Sequence, residues 1–148
     1  MSNMLNPTFE EINRLYGLQI EFAKKVIQRD VITKWDKIAG VDAGYTNGKV
    51  IAAAAVLNKR GEILNSNTIS TTVKFPYISG LLAFREAEAL VTALRDLEFD
   101  ILMVNGHGIA HPRGCGLASW IGLKIDKPTI GIAKRLLVGK IIETMDGY

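Results

Sequence analysis

The dipeptide Asn47-Gly48 lies between two apolar runs, IAGVDAGY (38–45) and KVIAAAAVLN (49–58). Asn-Gly favours the tight type I′ turn between antiparallel strands, because both of its residues adopt positive φ at low cost. We therefore predict a hairpin from these two runs. The segment 62–75 is rich in β-branched residues and predicts a third strand. The first half of the sequence thus indicates an antiparallel three-stranded meander.

Helical patterns flank this meander on both sides. Thr8 and Glu11 form a capping-box pattern, which predicts the start of a helix over 8–30. Its apolar positions recur at helical spacing, at Ile12, Leu15, Tyr16, Ile20, Ala23 and Ile27. Proline and glycine in 75–80 predict a loop, and the following segment, 81–99, predicts a helix of about five turns.

The last third of the sequence predicts a strand–helix–strand unit. The short apolar run 101–104 is typical of a buried parallel strand. A glycine-rich loop, 106–116, follows it, and then a helix near 116–124 and a strand at 129–133. This order predicts an α/β fold with a mixed sheet, in which the meander is followed by parallel strands and helices cover both faces. More than one architecture fits this order.

Composition narrows the class of protein. Apolar residues make up 48% of the chain and charged residues 22%, which favours a folded core over disorder. No apolar run reaches the ~18 residues of a membrane span. The first residues lack the pattern of a secretory signal, and the single Cys115 forms no internal disulfide. We therefore expect a cytoplasmic protein without a membrane partner.

The net charge of +3 comes from the last third of the sequence. It suggests either an anionic partner or an ordinary solvated surface.

Glu86 is the polar residue whose position is most informative. It belongs to the apolar stripe of its predicted helix, together with Leu82, Leu90, Leu94 and Leu97. A buried, unpaired carboxylate costs several kcal/mol, so Glu86 needs a cation, a proton or hydrogen-bond donors. A structural salt bridge to a Lys or Arg is the alternative.

Asp42 shares one strand face with Gly40 and Gly44, because side chains alternate along a strand. Two glycines leave room for a ligand or another backbone to approach this carboxylate. The alternative is an ordinary aspartate near a turn.

Asn105 follows the predicted strand 101–104, at the carboxyl end where ligands gather in open α/β sheets. Two carboxylates and an amide oxygen would then be available for a hard cation such as Mg²⁺. Lys134 directly follows the strand 129–133 and is expected at the same edge of the sheet.

Two histidines, His107 and His111, occur in the glycine-rich loop. Such loops bring backbone N–H groups near anions. Two histidines within five residues of such a loop favour a functional role over hydrogen-bonded structural histidines. A zinc site is disfavoured because no further ligand follows at a suitable spacing.

Four segments resemble the endonuclease V family of nucleases for deaminated bases, namely GVDAGY (40–45), PYISGLLAFREAEAL (76–90), NGHGIAHPRGCGLASWIGL (105–123) and KPTIGIAKRLLVG (127–139). The resemblance implies a ribonuclease H-like fold. It also implies Mg²⁺- or Mn²⁺-dependent hydrolysis of a phosphodiester 3′ to hypoxanthine, in DNA or RNA that contains deaminated adenine.

The resemblance also assigns roles. Asp42 and Glu86 correspond to metal ligands, and Asn105 stands where the family has a third carboxylate, an aspartate. His111 and Lys134 match the family's active-site histidine and lysine. All five are implied catalytic residues.

Tyr77 matches the family's wedge, a side chain that enters the nucleic-acid helix beside the lesion. Ser79 replaces the proline that ends the family's wedge motif. The residues implied to contact nucleic acid or the flipped base are Tyr77, Ile78, Gly80, Gly106, Gly108, His111, Arg113, Gly116, Leu117 and Leu137.

Two departures from the family pattern shape the expected function. Because Asn105 removes a carboxylate, we predict weak or absent cleavage with nucleic-acid binding retained; a non-catalytic binder of deaminated nucleic acid is the alternative. Family members usually continue beyond this length, so residues 1–148 are expected to form one C-terminally truncated domain. A phosphate-binding ATPase and a purely structural protein are less favoured, and the oligomeric state stays open.

Overall fold

The computed structural model describes residues 6–140. Its elements are α1 (Phe9–Ala23), β1 (Lys37–Thr46), β2 (Lys49–Asn58), β3 (Ile63–Thr72), α2 (Leu82–Ala93), β4 (Ile101–Asn105), α3 (Leu117–Ile125) and β5 (Thr129–Ile132). Each predicted helix and strand is present, in the predicted order.

The five strands form one mixed sheet with the order β3-β2-β1-β4-β5. The β1–β2 and β2–β3 pairs are antiparallel, and β4 lies parallel to both β1 and β5. Asn47 and Gly48 have φ of 46° and 73°, as the predicted hairpin turn requires. The predicted mixed sheet is confirmed. β4 ends at Asn105, opposite the middle of β1, so the β1–β2 hairpin continues past it.

Both sheet-covering helices lie on one face of this sheet. α2 packs on β1, β2 and β3, α3 packs on β4 and β5, and the two helices contact each other. Within residues 6–140, the helices that pack on the sheet therefore cover one of its two faces. The connections β3–α2–β4 and β4–α3–β5 both join parallel strands and advance in the same direction across the sheet. Right-handed crossovers then place both helices on the same side.

The two faces of the sheet differ accordingly. The helical face is buried and is formed by alternate residues of the strands, among them Ala39, Val41, Ala52 and Val104. The other face, which we call the open face, is formed by the intervening residues. On this face Ile130 and Ile132 are 48% and 46% exposed. The pairing register places further residues of the strands on the same face, namely Ile38, Gly40, Asp42, Ile51, Ala53, Met103 and Asn105.

Both long helices end earlier than the periodicity predicted. α1 ends at Ala23 rather than near residue 30, and Ile27 beyond it is 64% exposed. Helices gain most of their stability from packing, and Ile27 has little to pack against. α2 ends at Ala93 rather than at 99, because the chain turns through Asp96 (φ 64°) and buries Phe99.

α1 begins where its sequence indicates, but one residue of its predicted apolar stripe is exposed. Thr8 Oγ1 accepts from the Glu11 N–H at 3.2 Å, and Glu11 Oε2 accepts from the Thr8 N–H at 2.6 Å, so the capping box is confirmed. Phe22 stacks on Trp120 of α3 at 4.2 Å between ring centroids. Ile20, predicted in the apolar stripe, is 46% exposed. No helix between residues 6 and 140 has the length and apolar character needed to cross a membrane.

Candidate active site

The structure brings Asp42 and Asn105 into direct contact. Asn105 Nδ2 donates to Asp42 Oδ1 at 3.0 Å, and the Ala43 N–H donates to the same oxygen at 2.8 Å. The contact follows from register, because β1 and β4 pair Val41 with Val104 and thereby place the next residue of each strand side by side. Both polar side chains are exposed on the open face.

Glu86 reaches the same edge of the sheet from the helical face. It lies on α2, and its residue is 8% exposed. Tyr45, three residues after Asp42 on β1, donates its hydroxyl to Glu86 Oε1 at 2.5 Å. Within residues 6–140 Glu86 forms no ion pair with a Lys or Arg. The structure therefore favours the hydrogen-bonded carboxylate over the structural salt bridge.

Electrostatics at this edge disfavour a second negative charge. Burial raises the pKa of Glu86, and the charge of Asp42 raises it further, while the Tyr45 hydrogen bond and the Arg85 charge act in the opposite direction. Burial and the neighbouring carboxylate also raise the pKa of Tyr45. A cation beside Glu86 would favour the charged form of its carboxyl group.

The donor set of Asp42, Glu86 and Asn105 fits a Mg²⁺-type cation. Mg²⁺ prefers oxygen ligands and is usually held by one or two carboxylates together with water and substrate phosphates. No cluster of three His, Cys, Asp or Glu side chains occurs in the part of the chain that the structure describes. The third member of this set is an amide, which supplies an oxygen without charge.

A cleft of about 230 Å³ opens between the start of α2, the loop 75–80 and the glycine-rich loop. Six of the predicted contact residues line it, namely Tyr77, Gly80, His111, Gly116, Leu117 and Leu137. Ile78, Gly106, Gly108 and Arg113 are not among its lining residues. Asp42, Glu86 and Asn105 are not among its lining residues, but Leu82, which lines the cleft, lies one helical turn before Glu86 on α2.

Close backbone approach explains Gly116, and a positive φ explains Gly80. A Cβ on Gly116 would overlap the carbonyl oxygen of His107, and the Gly116 N–H donates to the Gly108 carbonyl at 2.9 Å. Gly80 has φ of 79°, a conformation that disfavours other residues. Cys115, between two glycines, is fully buried, and burial raises the pKa of its thiol to about 11.

His111 is buried and hydrogen-bonded within the wall of the cleft. Its Nδ1 accepts from the Arg113 N–H at 3.2 Å, so Nε2 carries the proton and donates to the Gly80 carbonyl at 3.1 Å. Burial, together with the charge of Arg113, lowers its pKa. The structure thus places a neutral His111 in the cleft wall. Lys134 is exposed and lies two residues after Ile132, the partner of Asn105 in the β4–β5 pair.

Sequence reasoning missed three residues that support the site. Tyr45 holds Glu86, and alternation along β1 already placed it on the face opposite Asp42. Arg85 donates to the Phe75 carbonyl at 2.7 Å and stacks over Tyr45 at 4.4 Å. Gln19 is 1% exposed, and a glutamine within the apolar stripe of α1 was the signal available for it.

A mixed sheet with Asp42 and Asn105 side by side at the carboxyl end of β4 agrees with a ribonuclease H-like α/β domain. The Endonuclease V family model matches residues 20–147, and the chain belongs to that family. It is 43% identical over 127 residues to the Endonuclease V of Pyrococcus horikoshii, covering 85% of this chain and 60% of that relative.

Solved structures agree with this fold. The catalytic domain of human Endonuclease V superposes with a TM-score of 0.81 at 31% identity, over 88% of this chain and 61% of that one. Ciona intestinalis Endonuclease V, in complex with a 24mer DNA containing an inosine followed by a ribo-adenosine, gives a TM-score of 0.81 at 30% identity, over 88% and 60%. The chain thus spans about 60% of the length of these relatives.

Proposed function

We propose that this chain is a metal-dependent endonuclease for nucleic acid that contains deaminated adenine, and that it hydrolyses a phosphodiester 3′ to the hypoxanthine. The observation that carries the proposal is the junction of two features along one face of α2. One is the edge formed by Asp42, Asn105 and Glu86; the other is the cleft that begins at Leu82. A flipped base and its neighbouring phosphate need such an arrangement of pocket and polar edge.

Asp42, Glu86 and Asn105 are the residues that would hold Mg²⁺ or Mn²⁺. When bound, such a cation supplies charge neutralisation at the phosphate and lowers the pKa of a coordinated water. Lys134 is exposed and lies two residues after Ile132, the β5 partner of Asn105, and its role would be to provide a positive charge for the phosphate. His111 contributes to the wall of the base pocket, because both of its ring nitrogens are engaged there.

Tyr77 suits the role of a wedge because its side chain is 70% exposed at the mouth of the cleft. A wedge of this kind offsets the cost of unstacking a base, which is a few kcal/mol. The DNA containing an inosine in the Ciona complex supports a DNA substrate. RNA is the alternative substrate.

Asn105 makes slow cleavage the expected behaviour of this chain. Its amide donates to Asp42 Oδ1, so this carboxylate oxygen already accepts a hydrogen bond where a cation would need it as a ligand. An aspartate at position 105 would also supply a negative charge that the amide lacks. This observation also favours the second candidate, a binder of deaminated nucleic acid that does not cleave. Both candidates use the cleft and Tyr77.

Cleavage assays separate the two. Oligonucleotides of DNA and RNA with one inosine are incubated with Mg²⁺ or Mn²⁺ and either this chain or its Asn105→Asp variant, with adenine-containing duplexes and EDTA as controls. We expect slow cleavage by the natural chain and a strong increase for the variant. A variant that binds inosine DNA but cleaves it no faster supports the binder, and absence of inosine-specific binding refutes both.

A further inference from the structure

Gln19 forms the centre of a buried hydrogen-bond cluster outside the acidic edge. Its Nε2 donates to the carbonyls of Gly80 at 3.0 Å and Cys115 at 3.1 Å, and its Oε1 accepts from Arg113 Nε at 2.7 Å. Its two amide hydrogens and its oxygen all have protein partners, and the residue is 1% exposed. Gln19 therefore has no polar group left for a ligand and acts through the groups that it holds.

The Gly80 carbonyl is the point where this cluster converges. Besides Gln19, it accepts from Arg113 Nη2 at 2.8 Å and from His111 Nε2 at 3.1 Å. Three side chains from α1 and the glycine-rich loop thus fix one carbonyl. Gly80 adopts φ of 79°, and a Cβ there would lie 2.7 Å from Arg113 Nη2, so any other residue would be strained and would displace this guanidinium.

The fixed carbonyl ends the loop that carries Tyr77. Arg85 holds the other end through the Phe75 carbonyl at 2.7 Å. Between these two anchors, Tyr77 is 70% exposed. An exposed aromatic side chain on a loop that is held at both ends presents its ring in a defined place and loses little conformational freedom on binding.

Arg113 extends the cluster to the surface of α1. Its guanidinium stacks over the ring of Tyr16 at 3.9 Å, in addition to its bonds to Gln19 and Gly80. The orientation of Arg113 is therefore set by α1. Gln19 lies one residue before the stretch that the family model matches.

We propose that Gln19 is a positioning residue for the loop 75–80, and that through the Gly80 carbonyl it sets how strongly the protein distinguishes inosine from adenine. The second part of this inference depends on the function proposed above. Loss of the cluster frees the loop, so Tyr77 has to be ordered at the moment of binding. The affinity for inosine DNA then falls more than the affinity for ordinary DNA.

The test uses Gln19→Met, which keeps the length of the side chain but removes its hydrogen bonds, and Arg113→Lys, which keeps the charge but cannot span Gln19 and Gly80 together. Gln28→Met, at an exposed position, is the matched control. Amide hydrogen exchange of residues 75–81 and the affinities for inosine and adenine duplexes are measured on the same 148-residue chains in EDTA, which prevents cleavage.

We expect faster exchange in 75–81 for both cluster variants, and an inosine-to-adenine affinity ratio lowered about tenfold, which equals about 1.4 kcal/mol. Exchange equal to that of Gln28→Met overturns the inference. So does an unchanged ratio in variants that exchange faster, since lower stability alone weakens both affinities together. If the natural chain itself shows no preference for inosine, the proposed function fails, and the exchange data alone then decide the role of Gln19 in the loop.

Discussion

Asn105→Asp is expected to destabilise the metal-free protein while it restores a third carboxylate. The substitution removes the 3.0 Å hydrogen bond to Asp42 and places a second carboxylate at the same distance. Two unit charges 3 Å apart repel by about 1.4 kcal/mol in a water-like dielectric, which suits this exposed pair. Loss of a hydrogen bond to a charged group costs about 1.5 kcal/mol more. We therefore expect a free energy of unfolding about 3 kcal/mol lower at neutral pH in EDTA.

A divalent cation should reverse this difference. A ligand that binds only the folded state stabilises it by about 2.7 kcal/mol at a concentration one hundred times its dissociation constant. The variant, with three carboxylates, is expected to gain more from Mg²⁺ than the natural chain, whose amide carries no charge. Urea denaturation with EDTA and with a Mg²⁺ series measures both quantities.

Asn105→Leu serves as the control, because it removes the hydrogen bond without adding a charge. Its loss should be about half that of Asn105→Asp, and high salt should reduce the loss only in the aspartate variant, since exposed charges are screened. The reasoning is refuted if Asn105→Asp is as stable as the natural chain in EDTA, or if Mg²⁺ stabilises all three proteins equally.

Three further predictions concern the surroundings of the site. Tyr45→Phe should lower the free energy of unfolding by about 1–3 kcal/mol at pH 7, because it removes a hydrogen bond to the charged carboxylate of Glu86. Near pH 4 the loss should be smaller, because burial raises the pKa of Glu86 and its carboxyl group is then protonated. Equal losses at both pH values would contradict this. Burial lowers the pKa of His111, so below about pH 6.5 the unfolded chain binds more protons than the folded chain. As the pH is lowered through this range, the free energy of unfolding of the unsubstituted protein should therefore decrease more steeply than that of His111→Gln, as measured by urea titration. Gly116→Ala, whose Cβ would overlap the carbonyl of His107, should cost about 3 kcal/mol in thermal or urea unfolding, whereas Gly44→Ala, with nothing within 4 Å, should cost far less.

Local sequence patterns predicted the strands of this fold well and the ends of its helices poorly. The Asn47-Gly48 turn determines the hairpin by backbone chemistry alone, and alternation along β1 correctly placed Asp42 on one face with Gly40 and Gly44. Helix ends depend on what the helix packs against. Ile27 continues the periodicity of α1 but lies beyond its end at Ala23 and is 64% exposed, so it adds little packing that would extend the helix.

The candidate site was predictable to the extent that its residues broke an apolar pattern. Glu86 was identified in this way, and its burial is confirmed. Gln19 breaks the stripe of α1 similarly, but a neutral amide attracts less attention because it costs less to bury than a charge. The placement of both helices on one face needed the strand order, which follows from long-range pairing between β1 and β4 rather than from any local signal.

The acidic edge depends on one alignment between two parallel strands. Asp42 and Asn105 meet only because Val41 lies opposite Val104, and Glu86 approaches from the helical face, where it accepts from Tyr45 of β1. If β4 slid along β1 by a single residue, the amide would face the wrong side of the sheet while the hydrophobic core lost its pattern at the same time. Folding stability and the assembly of the acidic edge are therefore linked, because a chain that packs its core correctly has already aligned Asp42 with Asn105.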